Sequence, residues 1–278
     1  MAHPTLSDET RLGEFVQGCE EIYRNWQSYT PAIRRSKISE KVRQASRSVS
    51  MPQFSFVFKP LKRDGGHFLA GTWRLEIDTG VSERHAVGVD EMLWFCSILY
   101  HESRHGEQWY RCVQGALAGD LRPSTNQVRH KSLGSTVPEV QAKLRPVGQR
   151  ALTDPKKLKP ADIASRLGVP LAVVQHAEAR GAHAYAQYAR ELPISNWFHS
   201  VWGSNRRHRG EVLKHPQIQA AGTVANQNYH NLPEEADAFA TQHALEQRLR
   251  LRLQSVAQRA VTKSKGVKDL RKLWQTNP

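Results

Sequence analysis

The sequence predicts a mainly helical α+β fold that includes one small antiparallel sheet. Most of the chain places apolar residues at helical spacing, and only residues 53–78 alternate apolar and polar side chains as strands do. The chain has 278 residues, 39% of them hydrophobic, so it can bury a core as one elaborated domain or two small ones. We predict three parts: residues 1–120, a helical insertion over 121–222, and a C-terminal part over 223–278.

Two amphipathic helices and a hairpin are predicted in the N-terminal part. Apolar spacing predicts helices over residues 7–27 and 38–48. Residues 53–58 place three phenylalanines on one face, and residues 67–78 alternate in the same way. The intervening residues 62–66 have the composition of a turn. We therefore expect the two strands to pair as an antiparallel hairpin ahead of the next helix.

The next predicted helix contains the most informative motif of the chain, His101-Glu102-Ser103-Arg104-His105. No proline interrupts residues 90–118, and an apolar run leads into the motif. Residues four apart on a helix lie one turn above each other, so His101 and His105 can direct two imidazoles at one metal ion. Glu102 lies one step round the helix, where its carboxylate can take a proton from a metal-bound water. Both histidines fall on the stripe that is predicted to face inward, with Ile98, Trp109, Cys112 and Ala116.

This motif resembles the active-site helix of the zincin metallopeptidases, whose hallmark is the pattern HExxH. The resemblance implies a zincin-like domain with an active-site helix, Zn²⁺ held by His101 and His105, and Glu102 as the catalytic base. Zincins usually have small or apolar residues where this chain has Ser103 and Arg104. We expect Arg104 to project away from the histidines, so that this flank meets solvent, an acidic partner or a substrate carboxylate. The alternative interpretation is a surface helix whose histidines bind no metal.

A catalytic zinc ion normally takes a third protein ligand. The metzincin arrangement needs a histidine six residues after His105, but Arg111 stands there. The gluzincin arrangement takes a glutamate from a later helix, and residues 231–240 begin such a helix with a proline in its first turn. Helical phase favours Glu235, with Glu234 as the reserve, although acidic residues in a first turn also stabilise the helix dipole without any metal. Glu235 falls on the predicted inward stripe of Ala238, Phe239, Leu249 and Leu253.

Charge and cysteine content limit the environment of the protein. The net charge of +14 favours an anionic partner such as nucleic acid, an acidic protein, anionic lipid or a bacterial cell wall. No apolar run approaches the roughly 20 residues that a transmembrane helix needs. The N-terminus lacks a basic segment followed by an apolar core, so we expect synthesis in the cytoplasm without a signal peptide. The three cysteines have no metal-type spacing and predict reduced thiols inside a cell.

Residues 160–181 give a second signal, since they have the spacing of a helix-turn-helix unit with Gly168 at the turn. The helix that would read DNA begins with four apolar residues, 171–174, which offer few hydrogen-bonding groups to bases. A plain helical hairpin is therefore the alternative.

Residues 119–160 are rich in Pro, Gly, Ser and charged residues, which predicts a linker or loop. The tail from Lys263 is basic and is either helical or disordered.

These observations predict a zinc-dependent metallopeptidase of gluzincin type that hydrolyses protein or peptide bonds with a metal-activated water. Tyr229 or His230, just before Glu235, could donate a hydrogen bond to the developing oxyanion. The motif and the late glutamate also resemble bacterial HExxH peptidases that specialised secretion systems deliver as toxins or effectors. A close variant would be an amidase or peptidase that cuts peptidoglycan. The competing hypothesis is a nucleic-acid-binding regulator that uses residues 160–181 and the basic tail, with zinc structural or absent.

Overall fold

The structure of the protein, a computed structural model, describes residues 4–61, 65–121, 159–180 and 183–275. Most of these residues are helical, and three short strands form one mixed sheet, so the predicted α+β class is confirmed. The predicted linker or loop over residues 119–160 lies almost wholly outside the described residues.

The helices and strands follow one another in an order that places the sheet between two helical groups. The first part contains α1 (Glu9–Arg24), α2 (Pro31–Ser48), β1 (Ser55–Lys59), β2 (Gly66–Leu69) and β3 (Arg74–Asp78), followed by α3 (Thr79–Ser82) and the motif helix α4 (Val89–Ala118). The second part is helical: α5 (Pro160–Leu167), α6 (Leu171–Ala179), α7 (His183–Glu191), α8 (Ile194–Val201), α9 (Arg206–Lys214), α10 (Val224–His230) and α11 (Pro233–Gln275).

The sheet differs from the predicted hairpin in its pairing. Its strand order is β1-β3-β2, in which β1 is parallel to β3 and β2 is antiparallel to β3. A 3₁₀ turn at Ala70–Thr72 divides the predicted second strand, residues 67–78, into β2 and β3, and the hairpin forms between these two. The prediction that residues 53–58 form the antiparallel partner was therefore wrong, because this segment joins the far side of β3 in parallel.

Trp73 fixes the turn between β2 and β3. Its φ of 50° lies in the left-handed region that bulky residues rarely adopt. The buried indole donates a hydrogen bond to the Pro52 carbonyl (3.1 Å), and its ring packs against Phe54 and Phe68 at centroid distances of 5.8 and 5.2 Å. These contacts compensate for the backbone strain and fold the segment back on itself.

Helix α4 runs through the core of the molecule. Every residue from Ser103 to Ala116 is buried, more than the single inward stripe that was predicted. Trp109 packs against Phe68 of β2 and against Trp202, which follows α8, at ring-centroid distances of 6.3 and 5.0 Å. The helix ends at Gly119, whose φ of 82° is the left-handed conformation common after helix C-termini. Helix α4 is therefore a buried helix and not a surface helix.

Helices α5 and α6 form the helical hairpin predicted for residues 160–181. Gly168 makes the turn with a φ of 66°, and Val169 and Val174 are buried. The pair packs on α4, where the Tyr110 hydroxyl lies 2.9 Å from Nδ1 of His176. The exposed positions of α6 are Leu171, Ala172, Gln175, Glu178 and Ala179.

Helix α11 continues without a break from Pro233 to Gln275, so the backbone of the basic tail is helical. Its inward side buries Ala238 and three leucines, Leu245, Leu249 and Leu253. Among the residues that the structure describes, none of the helices combines the length and the apolar character that a membrane crossing requires.

Candidate metal centre

The two motif histidines lie one turn apart on α4 and face the same point. Their Nε2 atoms are 3.0 Å apart, and both side chains are buried, with exposures of 5% for His101 and 9% for His105. The spacing of four residues on a regular helix produces this arrangement directly.

Glu235 completes the cluster from the first turn of α11. Its Oε2 lies 3.3 Å from Nε2 of His105 and 3.6 Å from Nε2 of His101. This oxygen is buried, and in the described part of the chain it makes no hydrogen bond of good geometry beside its ion pairs with the two imidazoles. The structure thus brings together all three ligands predicted from the sequence, as a buried group able to hold a metal ion.

The separations between the three donor atoms match a small tetrahedral ion. Ligand atoms placed about 2.0–2.1 Å from a tetrahedral zinc ion lie about 3.3 Å from one another. The three distances here are 3.0, 3.3 and 3.6 Å. Two imidazoles and one carboxylate also leave the fourth position of such an ion open, as catalytic sites require. The residues therefore fit a divalent metal of this size.

Glu234, the reserve ligand, has a different role. Its side chain is fully buried and forms an ion pair with Arg209 of α9. Its backbone carbonyl accepts a hydrogen bond from Nε2 of Gln108 (2.7 Å). Glu234 therefore anchors the start of α11 to its neighbours, and the choice between the two glutamates falls on Glu235.

The charges of His105 and Glu235 stabilise each other. Burial lowers the pKa of His105, but the attraction of neighbouring groups for the protonated imidazole, chiefly that of the Glu235 carboxylate, outweighs burial and raises this pKa to about 10. Burial raises the pKa of Glu235, but His105 and His101 bring it well below its usual value. Without metal the two residues therefore form a buried ion pair, and His105 must release its Nε2 proton to become a ligand.

A glutamine fixes the ring orientation of His105. Nδ1 of His105 lies 2.8 Å from Oε1 of Gln108. The amide nitrogen of Gln108 donates to the Glu234 carbonyl and to Oδ2 of Asp237 (2.8 Å), which leaves its oxygen to accept the Nδ1 proton. Nε2 is then the ring nitrogen available to a metal. His101 is positioned by packing, since its ring contacts Phe239 at a centroid distance of 4.6 Å.

Glu102, the predicted base, lies on the side of α4 that faces the sheet. It is partly exposed, and its Oε2 accepts a hydrogen bond from the backbone N–H of Phe68 (2.8 Å). Phe68 belongs to β2, which is at the edge of the sheet. The carboxylate is therefore held at one end while remaining reachable from solvent.

Tyr229 and His230, the predicted oxyanion donors, lie at the end of α10 beside the cluster. Burial, together with the nearby Glu235, raises the pKa of Tyr229, so its hydroxyl remains protonated and able to donate. His230 stacks on Phe239 at a centroid distance of 4.0 Å, and burial lowers its pKa. Both residues lie close enough to Glu235 for its charge to affect their pKa values.

Arg104 does not meet solvent or a partner, contrary to the sequence-based expectation. It is fully buried and forms ion pairs with Asp237 of α11 and Glu107 of α4. Sequence reasoning missed Asp237 and Gln108 as supporting residues. The available signal was their position in the sequence: Gln108 follows His105 by three residues, and Asp237 follows Glu235 by two.

Comparison of the chain with protein-family models, with curated proteins and with solved structures gives no match. Its function has to be inferred from its own residues.

Proposed function

We propose that the protein is a zinc-dependent metallopeptidase of gluzincin type. His101, His105 and Glu235 would hold the ion, and Glu102 would act as the general base. The observation that carries this proposal is the set of three buried donor atoms 3.0–3.6 Å apart, one of them an unsatisfied carboxylate oxygen. The HExxH order on α4 adds the base at the expected place.

Each group has a definite task in peptide hydrolysis. A zinc ion at this site would supply a Lewis acid that polarises the scissile carbonyl and lowers the pKa of water to about 7. Glu102 takes a proton from the attacking water and later passes it to the nitrogen of the leaving amine. The Phe68 N–H holds the Glu102 carboxylate between these two transfers. The protonated Tyr229 hydroxyl donates to the negative charge that develops on the carbonyl oxygen.

The edge position of β2 favours an extended peptide as substrate. The Phe68 N–H points away from β3, since it donates to Glu102 on α4. The outer side of β2 therefore faces the motif, and an extended peptide lying along this edge, with the Phe68 N–H left to Glu102, would run past the metal centre. Peptidoglycan contains the same amide linkage and is the closest alternative substrate.

The nucleic-acid hypothesis is less well supported, because the exposed side of α6 offers no cation and carries Glu178.

Metal analysis tests the centre. We expect about one zinc ion per wild-type chain and none in His101→Ala. His243→Ala is the matched control, because His243 is exposed on the same helix as Glu235 and should leave zinc content unchanged. A wild-type protein that binds no zinc would refute the proposal.

Cleavage assays test the chemistry. Glu102→Gln should keep its zinc but lose about 10²- to 10⁴-fold in rate, because it removes the base alone. The assay uses an unfolded protein and purified peptidoglycan in parallel, which separates the two substrate classes. Zinc-loaded wild type that is inert towards both would overturn the assignment as an amide hydrolase.

A further inference from the structure

Arg104, inside the motif, makes a two-point ion pair with α11. Its Nε and Nη2 atoms donate to the two carboxylate oxygens of Asp237 at 2.7 and 3.1 Å. Asp237 follows the ligand Glu235 by two residues. A planar guanidinium that binds both oxygens of one carboxylate fixes direction as well as distance, which a lysine cannot do.

The surroundings of Arg104 hold its guanidinium in place. Nη1 donates to Oε2 of Glu107 (2.6 Å), and the Trp197 ring lies 5.3 Å from the guanidinium carbon. Arg104 is fully buried. A buried ion pair contributes little net stability after desolvation, and its best-attested role is to specify one arrangement of the elements it joins.

Glu235 and Asp237 lie on opposite flanks of α11. Two residues correspond to about 200° around a helix of 3.6 residues per turn. Between the flanks, Ala238 is fully buried. The first turn of α11 is thus held on one flank by Arg104 and on the other meets the histidine pair. A rotation of α11 that breaks one contact must also displace the other.

Gln108 connects the two flanks. Its amide nitrogen donates to Oδ2 of Asp237, and its oxygen faces Nδ1 of His105. Asp237 therefore contacts Arg104 directly and His105 through Gln108. A change at Asp237 affects the placement of both a histidine and the glutamate.

We infer that Arg104 and Asp237 are positioning residues that set the rotation and register of α11, so that Glu235 meets His101 and His105 with the geometry of a metal ligand. The inference rests on the proposed metal centre. It also explains why Arg104 stands at a position where HExxH helices usually have a small or apolar residue.

Zinc and cobalt titrations of the full chain test this inference. Arg104→Lys keeps the charge but loses the two-point contact, and Asp237→Asn keeps the shape but loses the charge. Each should weaken zinc binding about 10- to 100-fold in competition with a chelator, as loss of supporting residues does in other metal sites. At saturating Co²⁺, the visible absorption of both variants should change, because it reports ligand geometry.

Arg34→Lys is the matched control. Arg34 is a second buried arginine, on α2, that donates to the carbonyls of Trp26, Ser82 and Arg84, and none of these residues belongs to α4 or α11. This variant should lose stability in urea yet keep the zinc affinity and the cobalt spectrum of wild type.

The outcomes separate the two proposals. If wild type binds zinc and the Arg104 and Asp237 variants bind it equally well with an unchanged cobalt spectrum, the positioning role is overturned and the metal centre stands. Equal weakening in Arg34→Lys would also overturn it, since general destabilisation would then suffice. Wild type without zinc affinity would overturn both. Should Arg104→Lys fail to fold, Asp237→Asn decides the question.

Discussion

At the scale of single residues, Glu235 is the informative position. A buried carboxylate is costly unless a cation compensates its charge. His105 provides that charge in the metal-free protein, and Oε2 of Glu235 faces the same point as both imidazole Nε2 atoms. An ordinary acidic residue of a helix first turn would instead face solvent near the helix amides. The burial of Glu235 against two histidines is what favours a metal ligand.

The neighbouring glutamates allow a direct comparison. We predict that Glu235→Gln lowers zinc affinity by at least about 100-fold, because it removes a ligand and not merely a supporting contact. Glu234→Gln should retain binding, since its side chain pairs with Arg209. Competition with a chelator measures both. Stronger loss in Glu234→Gln than in Glu235→Gln would show that the ligand has been assigned to the wrong residue.

The three candidate ligands could be predicted from the sequence, but the residues that position them could not. His101 and His105 follow from helical spacing, and Glu235 follows from helical phase once a later helix is assumed. Arg104 was placed on a solvent-facing flank, because a lone arginine gives no sign of its partner. That partner, Asp237, is separated from it by 133 residues, and local periodicity carries no information on such a contact.

At the scale of elements, β2 and α4 are joined at Glu102, the proposed general base. The Phe68 N–H donates to Glu102, and proline can replace an edge-strand residue that does not donate within the sheet. We predict that Phe68→Pro lowers kcat by about 10- to 100-fold, because hydrogen bonds to charged groups contribute about 1.5–3 kcal/mol. Steady-state peptide hydrolysis measures this.

Phe68→Ala is the control for that experiment, since it also loses the aromatic ring but keeps the N–H. The two variants should differ in kcat while sharing any loss of stability. Equal kcat values would contradict a role for this backbone group.

The contact between α6 and α4 should respond to pH. Burial, followed by the charge of Arg180, lowers the pKa of His176 below its usual 6.5. Because the folded pKa is below the unfolded one, the neutral imidazole stabilises the fold at pH values above about 6.5, and this contribution is lost as pH falls through the folded pKa. We predict that His176→Asn reduces the decline in unfolding free energy between about pH 7.5 and 5, measured by urea titration.

The exposed His85 provides the comparison for this prediction. His85→Asn makes the same substitution at an exposed residue that belongs to neither α4 nor α6. An identical slope in wild type and His176→Asn would contradict the linkage.

The sheet marks the limit of sequence prediction at this scale. Alternation located the strand segments but also placed residues 70–73 in a strand, because it cannot reveal a reversal inside an alternating segment. The reversal depends on Trp73 in a left-handed conformation, held by contacts with Pro52, Phe54 and Phe68. The left-handed position is occupied by Trp73 and not by the glycine or asparagine that usually adopts it, and Gly71 lies two residues earlier.

At the scale of the whole molecule, the proposed metal centre joins two helices that are far apart in the chain. A ligand that binds only the folded state stabilises it by about 2.7 kcal/mol at a concentration 100 times its Kd. We predict that zinc raises the Tm of wild type, that a chelator reverses the rise, and that His101→Ala does not respond. Thermal unfolding followed by circular dichroism measures this. An identical rise in His101→Ala would place the bound ion elsewhere.

Trp109 gives the molecule an internal optical reporter. It stands one helical turn beyond His105, roughly 6 Å along α4, and is enclosed by Phe68 and Trp202. Indole fluorescence is quenched by Cu²⁺ or Co²⁺ at such short range. Filling and emptying of the centre could therefore be followed through light emitted by the unlabelled chain, with Trp109→Phe providing the background from the other tryptophans.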